Sequence, residues 1–192
     1  MQKKEPEIFY PKNKNDWRDW LIKNHESEES VWIVFYKKSS GIESLTWSES
    51  VDVALCFGWI DSKKVSIDTE KSHQFFSKRK AKSTWSKINK LKIEQLIAQG
   101  EMREAGLKTI EVAKENGSWT ILDAVEELII PEDLKIALQE NPKATENFEK
   151  FSKSVMKMIL YWVISAKRPE TRQNRIKEIA ERASENLKPK HM

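Results

Sequence analysis

The sequence predicts an α+β protein: first a small mixed sheet packed with helices, then a bundle made of helices alone. Two observations carry this expectation. Every run with strand character lies before Ser83. From Ser83 onward, Gly and Pro cut the chain into segments whose apolar residues recur at helical spacing. Composition permits a core in both parts, since 39% of the 192 residues are hydrophobic. That fraction excludes wholesale disorder.

The elements follow in order. Ile8-Phe9-Tyr10 reads as a short edge strand. Asn13 or Asn15 caps a helix to about Asn24, with Trp17, Trp20 and Leu21 as its apolar stripe. Val31 to Tyr36 is an unbroken β-branched and aromatic run, as in a buried strand. Ser39-Ser40-Gly41 marks a turn. Thr46 caps a helix over 47–57, stopped by Gly58. Trp59-Ile60-Asp61 reads as a strand, and 65–68 with 74–77 as a hairpin across the polar stretch 69–73. Ser83 then caps a helix from Thr84 to Gln99, and a further helix spans 103–116.

Shorter helices are expected at 121–128, 132–140 and 143–151, punctuated by Pro131 and Pro142. The segment 154–167 holds ten apolar residues in fourteen, which reads as a central buried helix. Pro169 opens a last helix to about Asn186. These stops divide the chain into an α+β domain over residues 1–117, containing a basic hairpin–helix segment, and a helical domain over 118–192.

Charge is uneven. Residues 62–92 hold ten basic and two acidic side chains, a local +8 in a chain whose net charge is +4. Within them, Lys78-Arg79-Lys80-Ala81-Lys82 runs into the expected helix start at Ser83. Unpaired N–H groups and the helix dipole favour an anion there. The candidate binding residues are therefore Arg79, Ser83, Trp85, Ser86 and Asn89, with Asp61 placed to orient the Arg79 guanidinium. The competing reading is a solvated lysine face, with these residues locking the hairpin to the helix.

Little else carries chemistry. One cysteine excludes an intramolecular disulfide and a cysteine zinc site. Cys56 shares a helix side with Glu49 and Asp52, so its thiol is expected to be raised in pKa and to serve packing. His25, His73 and His191 have no metal-ligand spacing. No phosphate loop, dinucleotide fingerprint or nucleophile elbow is present. No metal, cofactor or catalytic residue is expected.

Several blocks then point to a family. They are Leu55-Cys56-Phe57-Gly58-Trp59-Ile60-Asp61, Phe76-Ser77-Lys78-Arg79, Ser83 to Asn89, and Leu96 to Met102. Ile130-Pro131-Glu132-Asp133-Leu134 and Ala166 to Arg172, followed by Arg175-Ile176, complete the set. Together they resemble the YdeI/OmpD-associated family, also labelled bacteriocin-protection proteins, over Trp17 to about Leu187. The resemblance implies a bacterial protein linked to tolerance of bacteriocins or envelope-active peptides. This chain departs from the family pattern at Ser62, where Gly is usual, and at Ser77-Lys78, where Thr-Pro is usual. Both departures adjoin the proposed anion site. Cys56 and Trp59 are assigned structural roles, as are Arg172 and Arg175. The last two lie on one side of the final helix, where they either pair with acidic neighbours or dock that helix onto the N-terminal part.

Three functions compete. The first is a binding module with a pocket for a small anionic ligand. The second is nucleic-acid binding through residues 62–92, with Phe75, Phe76 and Trp85 as stacking surfaces. The third is an enzyme using Asp61 or Glu49 with Arg79, for which no nucleophile–base pair is visible. No signal-like apolar run follows Met1, and no stretch reaches membrane-span length. A cytoplasmic protein without a membrane span is expected, and no protein partner is indicated.

Overall fold

The computed structural model describes residues 5–190, so His191 lies outside the described residues. The chain divides into two units, Met1–Trp119 and Thr120–Met192, each with its own core.

In the first unit, β1 (Glu7–Phe9) leads through α1 (Lys14–Asn24) to β2 (Ser30–Tyr36), and β1 pairs with β2 in parallel. The intervening helix supplies the crossover that a parallel pair needs. α2 (Trp47–Cys56) is followed by the antiparallel hairpin of β3 (Trp59–Ser66) and β4 (Lys71–Lys78). The sheet order is β1-β2-β4-β3. α3 (Lys87–Ala98) and α4 (Glu104–Glu115) complete the unit.

Local chemistry explains most boundaries. Asn13 caps α1, accepting from the N–H groups of Asn15 and Asp16. Thr46 and Glu49 form a reciprocal capping box at α2. The hairpin differs from the expected one. The Asp68 carboxylate accepts from the N–H groups of Glu70 and Lys71 at 2.8 Å each, which turns the chain at 67–70. β4 therefore begins at Lys71, and β3 continues through the polar residues 62–64 with an irregular register between Asp61 and Lys64. α3 also begins later than expected. Ser86 accepts from the Asn89 N–H and is the cap. Ser83 instead donates its hydroxyl to the Lys80 carbonyl.

One face of the sheet is the core. Val31 and Ile33 on β2 and Phe76 on β4 pack with Trp17, Trp20, Leu21 and Trp59. The Trp17 ring lies 5.3 Å from Trp20 and 5.5 Å from Phe76, and Trp20 meets Trp59 edge-on at 5.8 Å. Burying each such ring stabilises the unit by roughly 1.5–3 kcal/mol. The Trp17 indole N–H is satisfied by the Ser50 carbonyl at 3.0 Å.

The second unit is α5 (Asp123–Glu126), α6 (Glu132–Gln139), α7 (Pro142–Glu149), α8 (Lys153–Ile164) and α9 (Pro169–Ser184). Leu134, Phe148, Ile159, Leu160, Val163 and Ile179 are enclosed in its core. α8 is not wrapped on all sides, as its composition implied. Val155, Ile159, Leu160 and Val163 face the core, while Met158 and Tyr161 are 47% and 45% exposed. α8 buries one apolar stripe against the unit's core and leaves the other side open.

Arg172 and Arg175 both act inside this unit. Arg172 forms a fork on Asp133, Nε to Oδ2 at 2.6 Å and Nη2 to Oδ1 at 2.8 Å. Arg175 donates to the Trp162 carbonyl at 2.5 Å, near the end of α8. Arg172 thus pairs with an acidic side chain, whereas Arg175 holds the end of α8 through the Trp162 carbonyl and the Ser165 hydroxyl.

Candidate functional site

β4 ends at Lys78, and the next residue makes the site. The Arg79 backbone N–H donates to the Gly58 carbonyl at 2.9 Å, fixing the chain beside the end of α2. Gly58 has φ +72°, a left-handed conformation that suits glycine at a helix stop. The Arg79 guanidinium lies over the Trp85 ring, 3.5 Å from its centroid. Its Nη2 donates to the Thr84 carbonyl at 2.5 Å. Its Nε and Nη1 are enclosed and have no acceptor. Burial pushes this guanidinium down to about 10, partly opposed by the attraction of Asp61.

Arg79 lines a cavity of about 530 Å³. Its walls are the end of α1 (His25, Glu26), the turn Phe57-Gly58-Trp59, the segment 78–81, and one side of α4 (Ala105, Lys108, Thr109, Val112). A second hollow of about 650 Å³ shares His25, Glu26, Phe57, Ala105 and Lys108 with it. The two are adjoining compartments of one depression. Four basic side chains line the first compartment, against one carboxylate, Glu26. Lys78 is already engaged, binding the Glu26 carbonyl at 2.8 Å and Glu29 at 2.7 Å. Lys80 and Lys108 are exposed at the rim. The His25 Nδ1 lies 2.8 Å from the Leu21 carbonyl, which assigns the proton to Nδ1. Its Nε2 lies 3.8 Å from a Glu26 carboxylate oxygen.

The residues singled out from sequence separate here. Arg79 lines the cavity, and Trp85, buried behind it, carries its guanidinium. Ser83 turns to Lys80, and Ser86 is spent on capping α3. Asn89 is half-buried on α3 and is not a wall of either compartment. Asp61 accepts from the Trp47 indole at 2.9 Å and from Gln74 at 3.2 Å, so it reaches Arg79 through space only. Trp59 is fully buried, lines the cavity, and leaves its indole N–H without an acceptor. Cys56 is also fully buried, and desolvation pushes its thiol up. The expected cause, Glu49 and Asp52 on its own helix, plays no part; Arg18 beside the thiol opposes the effect of burial.

Sequence reasoning missed His25, Lys108 and Thr109. One signal was available. Gly106 lies inside α4, and a Cβ there would sit 2.7 Å from the Leu55 carbonyl and nearer still to that of Cys56. A glycine inside a helical pattern marks such a close approach. Here it brings α4 onto the end of α2 and forms the cavity wall.

Residues 9–109 match the family described as a domain of unknown function, DUF8412. The chain belongs to the DUF8412 family. Residues 127–186 match the family described as Bacteriocin-protection, YdeI or OmpD-Associated. The YdeI/OmpD-associated match is therefore confined to the helical unit. The motifs from Leu55 to Met102 fall within the DUF8412 region instead. That region contains every wall residue of the Arg79 cavity except Val112. No curated protein and no solved structure matches the chain.

Among the described residues, no group of three or more His, Cys, Asp or Glu side chains could hold a metal. No helix among them is long and apolar enough to cross a membrane.

Proposed function

We propose that this chain is a binding protein whose DUF8412 region accepts a small anion in the cavity beside Arg79. The observation that supports this reading is the state of that guanidinium. It is desolvated and stacked on Trp85, its enclosed Nε and Nη1 have no acceptor, and the residue lines a cavity with a basic rim. A buried cation without a counter-ion is costly, and an anion in the cavity offsets that cost. Phe57, Ala105 and Val112 supply apolar wall, which favours an organic anion, such as a carboxylate with a short apolar body, over a bare ion. The family description of residues 127–186 supports a role in protection against bacteriocins. Binding rather than covalent catalysis accords with the one thiol, which is buried and raised in pKa.

Thermal melting in phosphate and in a series of short-chain carboxylates tests the reading. A ligand at about a hundred times its Kd stabilises the folded state by ~2.7 kcal/mol. The wild type is expected to melt higher with at least one of these anions, and Arg79→Met is expected to lose that rise. Equal rises in both proteins would reject the site.

A further inference from the structure

The second face of the sheet carries a different surface. Strand register assigns it without ambiguity. Trp32 on β2 lies opposite Phe75 on β4, and Val34 lies opposite His73, which in turn lies opposite Val65 on β3. These positions alternate with Val31, Ile33 and Phe76, which face the core. The Trp32 and Phe75 rings meet edge-on at 4.9 Å, and His73 lies 6.4 Å from Trp32. Ile8 on β1 and Val65 on β3 flank them and are 60% and 42% exposed.

The strands themselves bring only positive charge to this face, and the carboxylate beside it is Asp68 in the β3–β4 turn. The four strands contain two acidic residues, Glu7 and Asp61. Glu7 pairs with Val31 and Asp61 with Phe76, so both lie on the core side. On the outer side, the Lys63 ammonium sits 5.0 Å from the Trp32 ring and 5.7 Å from the Phe75 ring. Lys71 stands opposite Tyr36 on the same side, its ammonium 3.6 Å from the Asp68 carboxylate, a partly exposed pair that a phosphate can replace. Burial, with the repulsion of Lys71, holds the His73 ring below its ordinary range and keeps it neutral at pH 7. The irregular register between Asp61 and Lys64 is what turns Lys63 onto this face.

We infer that this face binds single-stranded nucleic acid, with Trp32 and Phe75 as the stacking platform and Lys63 and Lys71 as phosphate partners. Aromatic rings on the central strands of a four-stranded sheet present π-faces to unpaired bases, and every base can stack. Lysines at the margin follow the phosphate backbone and release counter-ions on binding. A protein partner with an acidic surface would satisfy the lysines but would leave the two rings without a matching π-face. A base entering over Trp32 displaces the Lys63 ammonium from the rings and brings it to the adjoining phosphate. The site is separate from the Arg79 cavity, and neither reading depends on the other.

Fluorescence anisotropy of a labelled oligothymidylate of about twelve nucleotides tests this on the full chain at low salt. The wild type is expected to bind saturably and to weaken steeply with salt. Phe75→Leu is expected to weaken binding roughly tenfold. Lys63→Gln, at an exposed position, is expected to lower the slope of log K against log salt by somewhat less than one. It is also expected to leave any anion-dependent melting shift intact. Absence of saturable binding at low salt overturns the inference. So does binding that both variants leave unchanged, or equal competition by duplex DNA.

Discussion

The Arg79 guanidinium lies 3.5 Å from the centroid of the Trp85 ring, and that contact stands where acceptors for its Nε and Nη1 are missing. A cation–π contact of a desolvated guanidinium is worth about 2 kcal/mol. The loss of two hydrogen bonds by a charged group costs more than that. The pair is therefore held in place by the fold around it.

Arg79→Met separates a functional charge from a structural one. Met keeps much of the apolar volume against Trp85 and removes the buried cation. Replacing poorly compensated buried charge by an apolar group is commonly neutral or stabilising by ~1 kcal/mol or more. The variant is expected to melt at or above the wild type in anion-free buffer. The folded guanidinium is depressed to about 10, below its ordinary 12.5. Its cost is thus fully present at neutral pH and declines only as pH rises through about 10. The difference between variant and wild type should stay constant across the neutral range. A clear fall in melting temperature would assign Arg79 to structure alone.

Arg172 and Asp133 form the strongest ion pair of the helical unit by geometry, with a two-point fork at 2.6 and 2.8 Å. Arg172 holds the Asp133 carboxyl below its ordinary 3.8, chiefly through hydrogen bonding. Both side chains are partly exposed, so the pair contributes about 1 kcal/mol or less. Arg172→Ala is expected to lower the melting temperature of this unit by a few degrees at pH 7. A depressed carboxyl contributes stability that is present above its unfolded value and is lost as pH falls through its folded one. The gap between wild type and variant should therefore close below about pH 4, which melting curves across the acid range would show.

Local signals were legible in the sequence, and remote ones were not. Asn13, one of the two expected caps, Thr46 and Pro169 each act within one helical turn, so spacing alone pointed to them. The return bond from the Thr46 N–H to Glu49 was not among the expectations. Ser83 and Ser86 are equivalent candidates on local grounds. The hydroxyl of Ser83 donates to the Lys80 carbonyl three residues back, a local alternative to capping, and Ser86 caps α3, which starts at Lys87. Arg79 was identifiable from the charge run, and Trp85 from its neighbourhood. The opposite wall was not, because His25 and Lys108 come from the end of α1 and the side of α4. Only the packing of α4 on α2 brings them to Arg79.

Cys56 gives a chemical test of the same region. It is fully enclosed at the end of α2, its Sγ donates to the Asp52 carbonyl at 3.3 Å, and burial raises its pKa. Thiolate is the reactive species, so native protein should resist a thiol reagent at pH 7 and react at once when unfolded in denaturant. Labelling of the native protein as fast as of free cysteine would show that the end of α2 opens readily.

Gly106 and Gly58 carry the last prediction, because they set the distance between α2 and α4. A Cβ at Gly106 would lie 2.7 Å from the Leu55 carbonyl and closer still to that of Cys56. Both neighbours are backbone, so relief requires α4 to move as a whole. Overpacking of this kind costs roughly 1–3 kcal/mol. At Gly58 a Cβ would meet the Thr109 methyl at 2.6 Å, and φ +72° adds roughly 1–2 kcal/mol for any L side chain. Gly41 has a similar φ of +70° but nothing within 4 Å, so Gly41→Ala measures the backbone cost alone. Gly106→Ala is expected to lower the melting temperature more than Gly41→Ala, although only Gly106 has an ordinary helical backbone. Because Ala105, Lys108 and Thr109 ride on α4, Gly106→Ala should also weaken the anion-dependent rise in melting temperature. Gly41→Ala should leave that rise unchanged. Equal behaviour of the two variants in both measurements would mean that the α2–α4 contact does not shape the cavity.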